Sequence, residues 1–289
     1  VNPLGVVWLN ARLVRRDEAV VPATSLGWLY GVGAFETMRW RHPRGVCRFA
    51  AHTTRLLATT AYLGLNVGDP DAARRRYADA VAATVRANRV ERDVVVRLTV
   101  ASGAEGESPV EMVHLRDIPY DGDALSRGVE AYLEPSPRWT ELARHKTLNY
   151  ASHVLARRVA AERGCFDAIF RDPFGYLLEG AATNLFVVVD GSLTTPSTMR
   201  PLLPGVTRGV VLEMARRSRG VAVERDVTEN DLRSASEAFL TNAVVGIVPL
   251  IAVRDASGGR FRIGSGAVGE QTRALIRAYE ALCEAELNV

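Results

Sequence analysis

The sequence predicts a mixed α/β (α+β) fold in two domains, on three observations. Strand-like and helix-like hydrophobic periods alternate through the first third of the chain. A turn-rich break, Arg116-Asp117-Ile118-Pro119-Tyr120-Asp121-Gly122-Asp123, then interrupts them. A length of 289 residues suits one large domain or two of ordinary size. The expected organisation is a small N-terminal α/β domain over 1–117 and a linker with the first strand of the next domain over 118–132. A larger C-terminal domain over 133–289 completes it.

Taken in order, Gly5–Asn10 and Glu18–Val21 read as strands joined by a polar turn at Arg15-Arg16-Asp17. Ala34–Trp40 alternates with period two and is a third strand. A helix over His52–Leu63 should stop at Gly64, a natural left-handed terminator. Asp69-Pro70-Asp71 opens another helix, with Tyr77, Val81 and Val85 on one face. Val94–Val100 is a β-branched strand, followed by Met112–Leu115. Past the break come a strand over Val129–Leu133 and a helix from Asn149 to Arg163, closed by Gly164. A hairpin of Phe166–Arg171 and Tyr176–Leu178 and a buried-type strand over Asn184–Val189 follow. Leu203-Pro204-Gly205 leads into a helix over Val206–Ser218, closed by Gly220. Thr228 and Asp231 have the spacing of a capping box. Strands at Phe239–Thr241 and Gly246–Val253 and a helix over Gly269–Leu287 end the chain.

Composition excludes several classes. With 47% hydrophobic and 24% charged residues, the chain has the balance of a globular protein, not a disordered one. No run approaches the ~18 apolar residues of a membrane span, and the first five residues carry no sign of a secretory leader. Cys47, Cys165 and Cys283 are odd in number and far apart, which argues against a disulfide framework or a zinc site and for the cytoplasm. No metal is expected. A net charge of +3, without basic blocks interleaved with aromatics, gives no support to a nucleic-acid partner.

One count says more. Among 36 Lys and Arg residues there is a single lysine, Lys146. Arginine serves surface salt bridges as well as lysine does, but only a primary amine can lose its proton near neutral pH and attack a carbonyl carbon. A lysine kept once in an arginine-rich chain is therefore a candidate for covalent imine chemistry, against the plainer reading of a surface lysine kept by chance.

Five segments then fall in a telling order: Trp28-Leu29-Tyr30-Gly31-Val32-Gly33-Ala34-Phe35-Glu36-Thr37, His52-Thr53-Thr54-Arg55-Leu56, His145-Lys146-Thr147-Leu148-Asn149-Tyr150, Tyr176 to Phe186 around Glu179, and Leu203-Pro204-Gly205-Val206-Thr207-Arg208. Together they resemble the class IV aminotransferases, pyridoxal phosphate (PLP) enzymes of fold type IV. That family includes branched-chain and D-amino-acid aminotransferases and aminodeoxychorismate lyase. The resemblance runs from about Gly5 to Pro249. It implies a C-terminal PLP-binding domain with a β-barrel-like core, pyridoxal 5′-phosphate as cofactor and a homodimer that borrows loops from its neighbour.

The resemblance also implies residue roles. Lys146 would form the Schiff base and move the substrate α-proton, and Glu179 would pair with the pyridine N–H. Arg55 would bind the phosphate as a bidentate cation. Gly205, Val206 and Thr207 would offer a helix N-terminus and a hydroxyl to that phosphate, and Tyr150 the ring hydroxyl a partner, although core packing explains Tyr150 nearly as well. Relatives place a phosphate-binding hydroxyl residue where this chain has Ala243, so Asn242, Thr241 or a backbone N–H must substitute. On the substrate side, Arg97 is a candidate for a carboxylate, with Tyr30, Thr37 and Arg39 beside it.

Two reactions share this equipment. Transamination between an amino acid or primary amine and a 2-oxo acid is the leading expectation. The alternative is lysis of 4-amino-4-deoxychorismate to 4-aminobenzoate and pyruvate, favoured by Thr37 and by the Asn242-Ala243 pair. A PLP-binding scaffold without turnover is a third reading, and retention of the sole lysine argues against it. Ser102 stands where D-amino-acid enzymes carry an arginine, and Ala181-Ala182-Thr183 replaces the usual branched-chain run, so both well-known specificities are altered.

Overall fold

The computed structural model describes residues 4–217 and 222–286. The chain divides into two compact units. The first is 1–119 with 145–149 and 283–289, and the second is 120–144 with 150–282.

The first unit is a six-stranded antiparallel sheet with helices on one face. Its elements are β1 (Val6–Leu9), β2 (Arg12–Arg15), α1 (Leu26–Tyr30), β3 (Gly33–Arg41), β4 (Gly45–Val46), α2 (Phe49–Tyr62), α3 (Pro70–Ala87), β5 (Val94–Ala101) and β6 (Val110–Arg116). The strand order is β2-β1-β6-β5-β3-β4. Period-two alternation sends Met38, Val96, Leu98, Val113 and Leu115 to one face, where they pack on Leu56, Tyr77, Val81 and Val85 from α2 and α3. Each such side chain contributes roughly 1.5–3 kcal/mol by leaving water. The Asp69 side chain caps α3 by accepting from Ala72 N.

The second unit comprises α4 (Gly122–Ser126), β7 (Val129–Leu133), α5 (Ala151–Glu162), β8 (Asp167–Arg171), β9 (Leu177–Gly180), β10 (Asn184–Val189), β11 (Ser192–Pro196), α6 (Val206–Arg217), β12 (Ala222–Arg225), α7 (Glu229–Ser234), β13 (Glu237–Asn242), β14 (Gly246–Arg254), β15 (Arg260–Arg262) and α8 (Glu270–Ala285), whose final residues, from Cys283 on, belong to the first unit. Its strands run β10-β13-β14-β7-β8-β9, and β9 pairs back to β10 through Glu179 and Asn184, so the sheet closes into the expected barrel-like core. Leu133, Ile169, Leu185, Leu240, Leu250 and Val253 fill one cluster of that core. Phe170, Leu178 and Ala181 meet Ala156 and Ala160 of α5 in another.

Most of the expected elements are present; the first hairpin and the start of α5 differ, and α1, β4, α4, β11, β12 and β15 had no counterpart in the sequence reading. The first hairpin turns at Asn10-Ala11, both with positive φ (47° and 65°), so its second strand is Arg12–Arg15 and not Glu18–Val21. The expected turn at Arg15-Arg16-Asp17 is instead the end of β2 running into a single 3₁₀ turn over Arg16–Glu18. α5 starts at Ala151, later than expected, because the preceding residues pair with β3 instead. β11 and β12 carried too little hydrophobic alternation to be seen. The capping box is present: Thr228 accepts from Asp231 N while the Asp231 carboxylate accepts from Thr228 N. The expected stop at Gly220 and the end at Leu287 lie outside the described residues. Folding brings the Cys47 and Cys283 Sγ atoms together as thiols, across 236 positions of sequence. No helix among the described residues is long and apolar enough to cross a membrane.

Candidate active site

In the first unit, Lys146 is held by its backbone as an extra half-strand on β3. Phe35 N donates to Lys146 O (2.9 Å), Leu148 N donates to Gly33 O (2.8 Å), and Thr147 bridges Ala34. Gly33 makes this possible, because a Cβ there would meet Leu148 Cδ1 at 2.6 Å and Val100 O at 2.9 Å. On either side of Lys146, His145 stacks on Tyr62 at 3.8 Å and Asn149 Nδ2 donates to Gly31 O.

The Phe35 ring organises the charges around the amine. Lys146 Nζ lies 4.7 Å from its centroid and Arg97 Cζ lies 3.7 Å away, both within cation–π range. Arg97 stands directly opposite Thr37 on the neighbouring strand, so the two share a face. The structure thus brings Lys146, Thr37 and Arg97 together. Arg39 points along the same face but is committed to Asp93, through Nε (2.8 Å) and Nη2 (2.7 Å). Tyr30 ends α1 with 69% of its surface exposed.

Arg55 arrives with two companions. Its Nε and Nη2 donate to Glu36 Oε1 (2.7 Å) and Oε2 (2.8 Å), and His52 Nδ1 lies 2.7 Å from the same Oε2. Glu36 is fully buried. Burial is the largest single influence and would raise its pKa, but the Arg55 charge, His52 and their hydrogen bonds together outweigh it and hold the carboxyl at about 2. The bidentate edge of Arg55 is therefore occupied by Glu36, which the sequence reading had assigned to an anion from outside.

In the second unit, three adjacent strands set polar residues abreast: Glu179 on β9 faces Asn184 on β10, which faces Thr241 on β13. Glu179 is 4% exposed. It accepts from Arg138 Nη2 (2.5 Å), Leu203 N (3.0 Å) and Asn184 Nδ2 (3.4 Å). Gly205 leads into α6 so closely that a Cβ would sit 1.9 Å from Asn184 Oδ1. Val206 and Thr207 then form the first turn, whose N–H groups have no partner within the helix. Asn242 is taken up by its own turn, accepting from Val244 N and Val245 N and donating to Ala182 O. Thr241 differs: its Oγ1 is buried and has no hydrogen-bond partner among the described residues. The Tyr150 hydroxyl donates to Ala181 O at 3.2 Å.

The family model for amino-transferase class IV matches residues 33–253. The chain belongs to the class IV aminotransferase family. A putative branched-chain-amino-acid aminotransferase from Methanocaldococcus jannaschii is 30% identical over 283 residues, covering 95% of each chain. A D-alanine aminotransferase from Listeria innocua is 27% identical over 84% of this chain and 86% of its own. The structure superposes on the branched-chain amino acid aminotransferase from Escherichia coli with a TM-score of 0.85 and 25% identity, covering 99% of this chain and 96% of that one.

The residues of this aminotransferase fit pyridoxal phosphate. The cofactor needs an amine for its aldehyde, an anion for its ring nitrogen and donors for its phosphate. Lys146 is the only lysine, Glu179 is a buried carboxylate, and Thr241 is a buried hydroxyl with an unmet bond next to a helix start entered through glycine. Phe35, Glu36, His52, Arg138 and Asn184 were missed as site residues in the sequence. Only Glu36 carried a usable signal: it stands on the apolar face of β3 between Ala34 and Met38, where a carboxylate demands a cationic partner.

Proposed function

We propose that this class IV aminotransferase moves an amino group between an α-amino acid and a 2-oxo acid, with Lys146 as the anchoring and proton-moving amine for pyridoxal phosphate. The observation that carries this reading is the Phe35 platform, which holds the sole ε-amine and the Arg97 guanidinium over one ring. A cation fixed beside the reacting amine suits a substrate that bears a carboxylate, and so favours an amino acid over a simple primary amine.

Bound pyridoxal phosphate supplies an aldehyde that takes up the substrate amine and a ring that draws electrons from the carbon bearing it. The chain does the rest. Lys146 Nζ would hold the cofactor's aldehyde and serve as the base that moves the substrate α-proton. Arg97 orients the carboxylate, with the Thr37 hydroxyl next to it. Glu179 would accept a hydrogen bond from the ring N–H. The N–H groups of Val206 and Thr207, the Thr207 hydroxyl and Thr241 Oγ1 would hold the phosphate, with Thr241 filling the role that Ala243 cannot. Arg55, its fork held by Glu36, would add positive charge for the phosphate, and Tyr150 would serve the ring hydroxyl.

Mixing the holoenzyme with D-alanine, L-leucine, L-glutamate and an (R)-amine tests the reading: at least one amino acid should convert the cofactor to its pyridoxamine form. Lysis of aminodeoxychorismate is the second reading, favoured by Thr37 opposite Arg97 and by the Asn242-Ala243 pair. Pyruvate release from that substrate, with no half-reaction on any amine, would put the lyase first.

The assembly is a homodimer. The support is α1, where Leu26, Trp28, Leu29 and Tyr30 are 41–71% exposed, an apolar cluster suited to a second copy of the chain. A sedimentation experiment showing an active monomer would contradict this. Cysteines kept as thiols suit the cytoplasm.

A further inference from the structure

Glu179 is backed by a second buried charge that the assignments above do not use. Arg138 lies in the loop after β7, pinned by its backbone N–H to Arg171 O at 2.8 Å. Its Nη2 donates to Glu179 Oε1, and the two side chains are 10% and 6% exposed. Its Nη1 lies 2.6 Å from His153 Nε2, and its guanidinium sits 4.3 Å from the Phe170 ring centroid. His153 is itself fixed, stacked on Tyr150 at 4.0 Å and edge-on to Phe170 at 5.4 Å. Arg138 is thus clamped with one nitrogen on the carboxylate and another on an imidazole.

Burying a guanidinium is costly, and a carboxylate could be held by neutral donors such as Leu203 N and Asn184 Nδ2, both of which already reach Oε2. A full positive charge on Oε1 has a further consequence. It makes the carboxylate a weaker proton acceptor. In a hydrogen bond between that carboxylate and a pyridine nitrogen, one proton is shared by two bases, and weakening one moves the proton to the other. A protonated ring nitrogen is what allows the ring to draw electrons.

We propose that Arg138 is a positioning residue which, through Glu179, keeps the shared proton on the cofactor's ring nitrogen. This rests on the assignment of Glu179 to that nitrogen, and the test separates the two ideas. The full-length protein is loaded with pyridoxal phosphate labelled with nitrogen-15 in the ring, and the ring-nitrogen chemical shift is recorded for wild type, Arg138→Lys, Arg138→Gln and Arg138→Met. Wild type and Arg138→Lys should show the protonated shift. Arg138→Gln should move toward the deprotonated value, and Arg138→Met, which keeps the packing on Phe170, should do the same if the Gln variant does not fold. A neutral variant that binds the cofactor and retains the protonated shift overturns the proposal. So does loss of fold in both neutral variants with wild-type behaviour in Arg138→Lys, since the residue would then be structural. Failure of wild type to bind pyridoxal phosphate would sink the underlying assignment instead.

Discussion

Glu36 and Asp167 are matched carboxylates in the two units, each buried to 1% exposure or less, and their pKa values move in opposite directions. Glu36, in the open sheet of the first unit, touches the Arg55 guanidinium with both oxygens and is held at about 2. Asp167, on β8 of the closed barrel, accepts from neutral donors: Ala168 N, Ala182 N and the Thr183 hydroxyl. Its guanidinium, Arg157, stays at 4.0 Å. Burial therefore wins, and the Asp167 carboxyl is raised above its ordinary 3.8 despite those hydrogen bonds. Burial alone therefore does not set the sign of the shift. A full charge in bidentate contact reverses the desolvation effect, and neutral N–H and O–H donors do not.

The largest expected effect tests the first unit's claim to the reactive amine. Lys146→Ala should reduce transamination by about 10²–10⁴-fold and remove the visible absorbance of the lysine-bound cofactor. Next comes the pair of carboxylates. Glu36→Gln leaves Arg55 and His52 buried without their anion and should cost about 3–5 kcal/mol in urea unfolding. Asp167→Asn disturbs hydrogen bonds from neutral donors and one long contact to Arg157, with no bidentate ion pair to lose, and should cost about 1–2 kcal/mol.

Acid sharpens the contrast. Glu36 has a depressed folded pKa, so its stabilisation is full above 4.5 and is lost as pH falls toward about 2. The deficit of Glu36→Gln should therefore shrink in acid. Asp167 has a raised folded pKa, so its ionised form is a burden that protonation relieves. The deficit of Asp167→Asn should grow as pH falls. Parallel slopes for the two variants would undo the comparison.

A smaller effect belongs to His114, which stands across from Arg97 in the first unit. Burial first, then Arg97 and Arg116, push its pKa down to about 4. Between pH 6.5 and 4 the unfolded chain binds a proton that the folded chain refuses, so stability falls with pH there. His114→Gln should flatten that decline, on the order of 1–3 kcal/mol at pH 4. The smallest effect is at Thr228, where removing the capping box by Thr228→Ala should cost about 1 kcal/mol, read from thermal unfolding.

Much of this was legible in the chain because the signals were local. Period-two alternation located β3 and a run of β-branched residues located β5, and the singleness of Lys146 in an arginine-rich sequence marked it without any structure. Arg138 was not legible. It follows Pro135-Ser136-Pro137 in a loop without periodicity, one of many arginines, and only folding brings it across 41 positions to Glu179. Thr241 could be named only as one substitute among three, because the choice depends on a turn that consumes Asn242 and leaves the threonine hydroxyl unmet. The Asn10-Ala11 turn was hidden because alanine gives no warning of a left-handed conformation.

The most direct measurement reduces the PLP-loaded protein with borohydride, digests it and maps the phosphopyridoxyl group by mass spectrometry. The predicted result is a single modified peptide containing His145-Lys146-Thr147, with the added mass on the lysine. An unmodified Lys146 in protein that carries bound cofactor would contradict the account.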